Sequence, residues 1–319
     1  MRKGDLVYWV SAAIVLAVLV AFAMSDANEY FFFAGYTVLT VVTLATAWNI
    51  LGGYAGYVNF GTAAFFGVGA YTAVLLFRAL EAPLVIQIVA AAVVCGLMGF
   101  ATGLLTLRLR GIFFAIATVA LIFIMETVVI NWRYLGGATG LQLLRPDLVG
   151  PFESYTRMLF AVMALMAVIG VSIARYIEVS WIGRGLRAIR DSEEAAEASG
   201  VPTLKLKLFA CTVSGALMGA AGAPMPMYLS FIEPFSTFNL LWSVNALASA
   251  MIGGTAHWLG PVLGGLVLSS LQQIVTVTIS SEINVLVVGV LLVFFVVAAP
   301  DGIFGLLKKL FLWRSRSSR

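Results

Sequence analysis

The sequence has 319 residues, of which 61% are hydrophobic and only 11% charged, and its formal net charge is +4 at pH 7. Because soluble domains carry roughly 25% charged residues, this composition and a mean hydropathy of +1.02 exclude a soluble globular protein. They predict an all-α polytopic membrane protein surrounded by lipid, and the positive residues lie beside apolar segments, which argues against a nucleic-acid partner.

Ten apolar segments follow one another along the chain. Most have about 20 residues, the length that crosses a hydrocarbon core of about 30 Å. Glycine and proline lie inside or beside several of them, which predicts that some of the helices are interrupted. The segments are 6–24, 31–51, 60–77, 84–106, 111–130, 158–178, 207–228, 239–256, 259–280 and 283–299.

The first segment has features of a secretory signal peptide, because it follows a basic start and ends in "AFA" before Met24. The apolar run from Leu6 to Met24 is longer than the 7–15 residues of a usual signal core. We therefore expect a retained first span, with cleavage as the alternative.

The distribution of basic residues predicts the orientation of the spans. All but four of the 19 Lys and Arg residues fall in the first five residues, at 108–110, in 175–207 or in the tail after Pro300. Cytoplasmic links carry an excess of Lys and Arg, so both termini are predicted to be cytoplasmic and the number of spans even. About ten spans fit, and eight would satisfy the same rule. The opposite face carries Arg78, Arg133, Arg145, Arg157, Asp26, Glu29, Glu81, Asp147, Glu153, Glu233 and Glu282.

We expect one transmembrane domain over residues 1–319, with two long links and a cytoplasmic tail over 300–319. The external link 131–157 combines Gly-Gly and Pro with aromatic residues, which indicates either an ordered cap or partner surface, or an ordinary loop. The link 179–206 is predicted to be cytoplasmic and mostly helical.

That cytoplasmic helix is predicted from Arg184 to Ser199, between Gly183 and the helix-ending Gly200. Arg187 with Asp191, and Arg190 with Glu194, are pairs four residues apart, each worth about 0.3 kcal/mol on an exposed helix. An amphipathic connector on the membrane surface would have the same pattern.

The same stretch contains Glu194, Ala195 and Ala196, then three residues and Gly200. Glu-Ala-Ala-x-x-x-Gly in a cytoplasmic link resembles the signature of ABC importer permeases. Alanine permits close approach of a partner, the charges set the register, and glycine ends the helix where the chain turns.

Three longer blocks extend the resemblance. "WNILGGYAGYVNFGTAAFFGVGAYTAVLL" (48–76), the stretch 183–223 and "MIGGTAHWLGPVLGG" (251–265) resemble successive blocks of the branched-chain amino acid ABC permeases of the LivM type. With the hydrophobic spacing between them, the similarity covers about residues 35–300.

The resemblance implies a permease domain without catalytic residues and without a cofactor of its own. ATP and Mg are then bound by partner ATPase subunits, and this chain has no Walker motif. The implied partners are a second related permease subunit, giving a heterodimer, two ABC ATPase subunits and an external substrate-binding protein. The implied location is the bacterial inner membrane. The implied ATPase-coupling residues are Arg187, Arg190, Glu193, Glu194, Ala195, Ala196 and Gly200.

Glycine pairs predict where the cargo passes. Irregular backbone is tolerated in a bilayer where protein or a water-filled cavity satisfies its amides, and transporters use such breaks to bind cargo. We expect breaks at Gly52–Gly53 and at Gly253–Gly254. Close helix packing is the alternative for the first, and it is the expected role of the small residues at 215–223 and 260–264. The predicted pathway residues are Asn49, Gly52, Gly53, Asn59, Gly61, Thr62, Asn245, Gly253, Gly254 and Thr255.

Two departures from the family pattern bear on the cargo. Thr62 stands where a histidine is expected, and Thr255-Ala256-His257 replaces a glycine-serine-aromatic pattern. We expect a branched-chain or other hydrophobic amino acid as cargo. Urea or a short amide is an alternative cargo, and an ion-coupled secondary transporter is an alternative mechanism.

Few other side chains suggest chemistry. Cys95 and Cys211 each lie inside an apolar segment, where packing is their expected role. His257 is the only histidine, so neither a histidine-based metal site nor a catalytic triad is predicted. Glu126 is the only acid well within an apolar segment, and an acid inside a membrane is a functional candidate. Because Glu126 lies near the outer end of its segment, we interpret its side chain as reaching the membrane–water interface. We predict no metal-binding residue.

Overall fold

The computed structural model describes residues 3–106, 109, 111–145, 151–278, 283–298 and 302–306. The prediction of an all-α polytopic membrane protein is confirmed. Within this part of the chain, nine helical stretches are long and apolar enough to cross a bilayer, and a tenth apolar helix near the C-terminus is shorter. The predicted link at Arg108 and Arg110 and most of the tail lie outside the described residues.

The helices follow the predicted apolar segments in order. They are α1 (Lys3–Ala23), α2 (Glu29–Ala55), α3 (Thr62–Leu80), α4 (Leu84–Thr106), α5 (Ile112–Ile130), α6 (Tyr155–Val179), α7 (Trp181–Asp191), α8 (Glu193–Ala198), α9 (Thr203–Gly222), α10 (Met225–Leu229), α11 (Pro234–Thr237), α12 (Leu241–Gly253), α13 (Leu259–Thr278) and α14 (Ile283–Ala298).

Helix α2 is the centre of the bundle. Every residue from Leu39 to Leu51 is buried, because α6, α9, α12 and α13 pack around it. A helix that is apolar on all sides is expected in such a place. Helix α1 packs mainly against α6, and most of its apolar side chains remain exposed on the surface that would face lipid.

Small residues bring α9 close to α4. A Cβ added to Gly215 would lie 2.9 Å from the carbonyl oxygen of Cys95, and one added to Gly219 would collide with the Cys95 side chain. The thiol of Cys95 donates to the carbonyl of Phe65 (3.3 Å). The expected packing role of 215–223 and of the buried Cys95 is therefore confirmed.

Interrupted helices are present, although one break differs from the prediction. The span Thr203–Leu229 is divided between Gly222 and Met225 by Pro224, which has no N–H to donate. The break predicted at Gly52–Gly53 is wrong, because α2 continues to Ala55 and the chain leaves the helix at Gly56, with φ +78°. The cost of glycine in a helix, about 1 kcal/mol each, is offset here by close packing on the glycine faces.

The link after α5 is folded onto the end of the bundle. Its strand β1 (Leu141–Gln142) pairs antiparallel with β2 (Phe231–Ile232), which follows α10. Arg145 donates to the carbonyls of two residues of α10, Met227 (3.1 Å) and Tyr228 (2.8 Å). Residues 146–150 lie outside the described part of the chain.

Candidate functional site

The predicted helix 184–199 is two helices, α7 and α8, separated by Ser192. The prediction of one continuous helix is therefore wrong. Ser192 is extended (φ −164°, ψ 110°), and its Oγ accepts from the N–H of Ala195 (3.4 Å). Serine competes with the helical backbone in this way and is favoured at an N-cap. We call this pair of short helices, with the two residues that follow it, the coupling segment (residues 181–200).

Gly200 ends the coupling segment as the sequence predicted. Its φ is +81°, its N–H donates to Glu197 O (2.9 Å), and the N–H of Val201 donates to Ala196 O (3.0 Å). These two bonds form a Schellman motif. The residue at this position must adopt a left-handed conformation, and glycine does so at the lowest free-energy cost because it has no Cβ. A Cβ on Gly200 would meet no atom within 4 Å, so the backbone conformation, and not a contact within the described residues, favours glycine here.

The predicted coupling residues divide between the two faces of the segment. Ala196 is buried in the main core, and Glu193 is half-buried. Glu194, Ala195 and Gly200 are exposed. One face therefore attaches the segment to the bundle, and the other presents the exposed part of the Glu-Ala-Ala-x-x-x-Gly pattern.

A buried ion pair attaches the inner face. Lys207 Nζ, in the first turns of α9, lies 2.6 Å from Glu193 Oε1, with side chains 4% and 14% exposed. Tyr57, in the link after α2, donates its hydroxyl to Glu193 Oε2 (2.7 Å) and accepts from Lys207 Nζ (3.1 Å). Each group of this triad (Tyr57, Glu193, Lys207) donates to or accepts from the other two, and the triad joins α8, α9 and the α2–α3 link.

Arg190 makes a second attachment, to the end of α2. Its guanidinium donates to Gly53 O (2.8 Å), one of the last carbonyls of α2, which have no intrahelical partner. Gly56 permits the approach, since a Cβ there would lie 3.1 Å from Arg190 Cγ. A cation at the C-terminus of a helix is also favoured by the helix dipole.

Glu178, at the end of α6, connects the coupling segment to two other elements. Its Oε2 accepts from the hydroxyl of Tyr54 in α2 (3.3 Å) and from the backbone N–H of Trp258 before α13 (2.6 Å). Arg187 donates to the backbone carbonyl of the same residue (3.3 Å). Sequence reasoning missed Glu178, Tyr54 and Lys207 because each reads as an ordinary residue near the end of a span.

The α2–α3 link, residues 56–61, is irregular backbone enclosed by protein. Trp48 Nε1 donates to Asn59 O (2.7 Å), the hydroxyl of Thr118 in α5 accepts from Phe60 N–H (3.0 Å), and the hydroxyl of Ser243 in α12 donates to Phe60 O. Three helices therefore satisfy this backbone, as a bilayer requires.

Several predicted pathway residues are buried polar groups. Asn49 and Thr62 are fully buried, and among the described residues neither amide atom of Asn49 nor the hydroxyl of Thr62 has a hydrogen bond. The Tyr54 hydroxyl faces the Asn49 side chain but donates to Glu178. Asn59 is also buried, and its Oδ1 accepts from Gly61 N–H (2.7 Å). Buried polar groups without partners are costly, and function is one explanation for them.

The second predicted break lies where expected and meets the end of α2. Helix α12 ends at Gly253, and Gly254 has a φ of +104°. A Cβ on Gly53 would lie 3.0 Å from Thr255 O, and one on Gly253 would collide with the carbonyl of Gly260. The fold thus brings two of the predicted pathway stretches together. Gly52 packs against the Trp48 ring of its own helix. Asn245, eight residues before Gly253 on α12, accepts from Gln272 Nε2 (3.2 Å), and this hydrogen bond involves neither of the two glycine stretches.

A pocket of about 410 Å³ opens beside the coupling segment. Its walls come from the α2–α3 link, the start of α5 and the inner face of the coupling segment. Tyr57, Arg190 and Glu193 line it together with Ala55, Ile112 and Ala115. Three of the residues that attach the coupling segment, Tyr57, Arg190 and Glu193, therefore line an accessible pocket.

Comparisons with known proteins agree on one family. The family described as the permease component of branched-chain amino acid transport systems matches residues 30–296. The high-affinity branched-chain amino acid permease proteins LivM of Salmonella typhimurium and of Escherichia coli strain K12 are each 26% identical over 317 residues, covering 92% of this chain and 73% of the relative.

A second type of permease is also similar over part of the chain. The branched-chain amino acid permease protein LivH of Salmonella typhimurium is 23% identical over 162 residues, covering 50% of this chain and 52% of the relative. No solved structure matches the chain.

Proposed function

The chain belongs to the family of permease components of branched-chain amino acid transport systems, and on that premise we propose that it is the membrane-spanning subunit of an ATP-driven ABC importer. The subunit itself makes and breaks no covalent bond. It forms part of the pathway and changes shape when separate ATPase subunits bind and hydrolyse ATP.

The coupling segment is the observation that carries this proposal. It is a pair of short helices between two spans, and its exposed face presents Glu194, Ala195 and Gly200. Its inner face is attached through Glu193 to α9 and through Arg190 to the end of α2. A force applied to the exposed face therefore reaches α2, the central helix, through charge-assisted hydrogen bonds, which are the stronger kind.

The proposed assembly contains several chains. Similarity to both LivM and LivH supports a second, related permease subunit beside this one. Two ABC ATPase subunits bind ATP and Mg²⁺, and an external substrate-binding protein delivers the cargo. In this assembly the multi-pass chain lies in the bacterial inner membrane with both termini in the cytoplasm.

The proposed cargo is a branched-chain or other hydrophobic amino acid, and the proposed pathway includes Asn49, Asn59 and Thr62. These polar side chains are buried in the structure, and in the proposed cycle this conformation corresponds to a closed route. Opening would expose Asn49 and Thr62, whose polar atoms lack hydrogen bonds among the described residues, to water and cargo.

A charge reversal on the exposed face tests the ATPase contact. Glu194→Lys should leave the protein inserted in the membrane but prevent nucleotide-driven uptake. The control is Glu81→Lys, the same reversal at an exposed residue at the far end of α3. Uptake of labelled leucine by vesicles and co-purification of the ATPases are measured together. Normal uptake by the Glu194→Lys variant would contradict the docking role.

The cargo is tested separately. Mass spectrometry of the small molecule held by the substrate-binding protein that co-purifies with the complex should identify a branched-chain or other hydrophobic amino acid. Recovery of urea or a short amide would contradict the proposed cargo and leave the coupling proposal standing.

A further inference from the structure

An apolar groove runs along the outside of the bundle between α1, α2, α6 and α13. Its volume is about 410 Å³, and its walls are formed by side chains such as Val15, Leu39, Val171 and Leu266. It exists because α1 is packed mainly against one neighbour and because the facing residues include the small side chains of Ala12 and Ala164. The groove lies within four apolar helices, at the depth of the hydrocarbon core.

The end of the groove at the coupling segment adjoins a cavity of different character. Tyr8 lines both, and this second cavity, of about 370 Å³, is also lined by Ser172, Arg175 and Ser180. The Arg175 guanidinium lies 3.1 Å from Asp5 Oδ1 and 3.9 Å above the Tyr8 ring, and its side chain is 16% exposed. A cation held in this way is positioned by packing as well as by charge.

Exposed aromatic side chains lie at the same level of the bundle as this second cavity. Trp9 and Tyr176 line the second cavity and are 51% and 72% exposed. Tryptophan and tyrosine with this exposure are typical of the membrane–water interface, where their rings meet the lipid headgroups. The polar cavity therefore lies at headgroup level, and the apolar groove extends from it into the bilayer.

We propose that the groove and the cavity together bind one anionic phospholipid. An acyl chain occupies the groove, whose walls are almost wholly apolar, and the phosphate occupies the cavity beside Arg175. A guanidinium has five N–H donors, so it can hold Asp5 and a phosphate oxygen together, and charge-assisted bonds to phosphate are strong. The bound lipid would connect α1, which packs mainly against α6, to α13, with which α1 has few direct contacts.

Native mass spectrometry of the purified permease-containing complex tests the acyl site. The delipidated complex is titrated with dioleoylphosphatidylglycerol. Ala12→Phe fills part of the groove and should weaken lipid retention about tenfold, because the burial of about two methylene groups is lost. Ala13→Phe is the matched control, since Ala13 lies next to it on α1 but is exposed and outside the groove.

The headgroup site has its own test. Phosphatidylglycerol should bind more tightly than phosphatidylcholine with the same acyl chains. Arg175→Gln should reduce the ratio of the two affinities about fivefold. Arg184→Gln, at an exposed arginine outside both cavities, should preserve it. Because the measurement compares two lipids on the same variant, a general loss of protein stability would weaken the binding of both and would not change their ratio.

Three results would overturn the proposal. The first is equal lipid retention by the Ala12→Phe and Ala13→Phe variants. The second is an unchanged headgroup preference in Arg175→Gln. The third is efficient cross-linking of a cysteine at Ala12 to another subunit of the complex, because the groove would then be filled by protein and not by lipid.

Discussion

Replacing Lys207 with methionine tests how the coupling segment is held. Methionine preserves most of the length of the side chain and removes the charge that faces Glu193 at 2.6 Å. We expect Lys207→Met to loosen α8 from α9, lower the thermal stability of the purified complex and reduce nucleotide-driven uptake. The carboxylate of Glu193 would retain the hydrogen bond from the Tyr57 hydroxyl.

The expected magnitude follows from the burial of the pair. Two charges at this distance attract by about 6 kcal/mol at an effective dielectric constant of about 20, and desolvation offsets much of that. Removing one partner of a buried pair costs about 3–5 kcal/mol, because the other charge is left uncompensated. Glu193 is 14% exposed and retains Tyr57, so the lower end, about 3 kcal/mol, is expected here.

A double-mutant cycle checks this reasoning. Lys207→Met and Glu193→Gln should each destabilise the complex, whereas the double variant should lose no more than either single one, because no unpaired charge remains. Lys205→Met, at an exposed lysine of the same helix, is the control and should change little. Additive effects of the two single changes would refute the claim that the pair acts as one buried unit.

Three other changes address separate parts of the site. Gly200→Val should cost about 1–2 kcal/mol, because φ is +81° there. Gly200→Asn should be tolerated better, because asparagine adopts the left-handed conformation more readily. Uptake by vesicles should therefore be higher for Gly200→Asn than for Gly200→Val. Ser243→Ala should cost about 1–3 kcal/mol, measured by thermal unfolding of the complex, because the hydroxyl joins Phe60 O to Ala63 N–H. Thr62→Cys should react with a small polar thiol reagent during ATP turnover and be protected without nucleotide, since Thr62 is fully buried; protection in every state would indicate a packing role.

Local patterns predicted the parts of the fold that depend on local physics. The apolar segments predicted the helices, because about 20 apolar residues are needed wherever a helix crosses lipid. Gly200 was predicted as the end of the coupling segment because a left-handed residue after a helix is usually glycine. The small residues of α9 and α13 predicted close packing because small side chains let helix backbones approach each other in lipid.

Contacts between distant residues could not be predicted in this way. Glu178 and the backbone of Trp258 are 80 residues apart, and no local pattern pairs them. The resemblance implied that Glu193 is an ATPase-coupling residue, and Lys207 counted only as one of the basic residues of 175–207, although the fold buries the two side chains against each other. The position of the break after α2 also depends on tertiary contacts, because Thr118 and Ser243 are the residues that satisfy the irregular backbone.

Reconstitution into proteoliposomes tests the central claim, that partner ATPases drive this bundle between two conformations through the coupling segment. With the second permease, the ATPases and the substrate-binding protein present, labelled leucine should accumulate only when ATP and Mg²⁺ are supplied. Transport of the solute by this chain alone, without nucleotide and without any partner, would contradict the account.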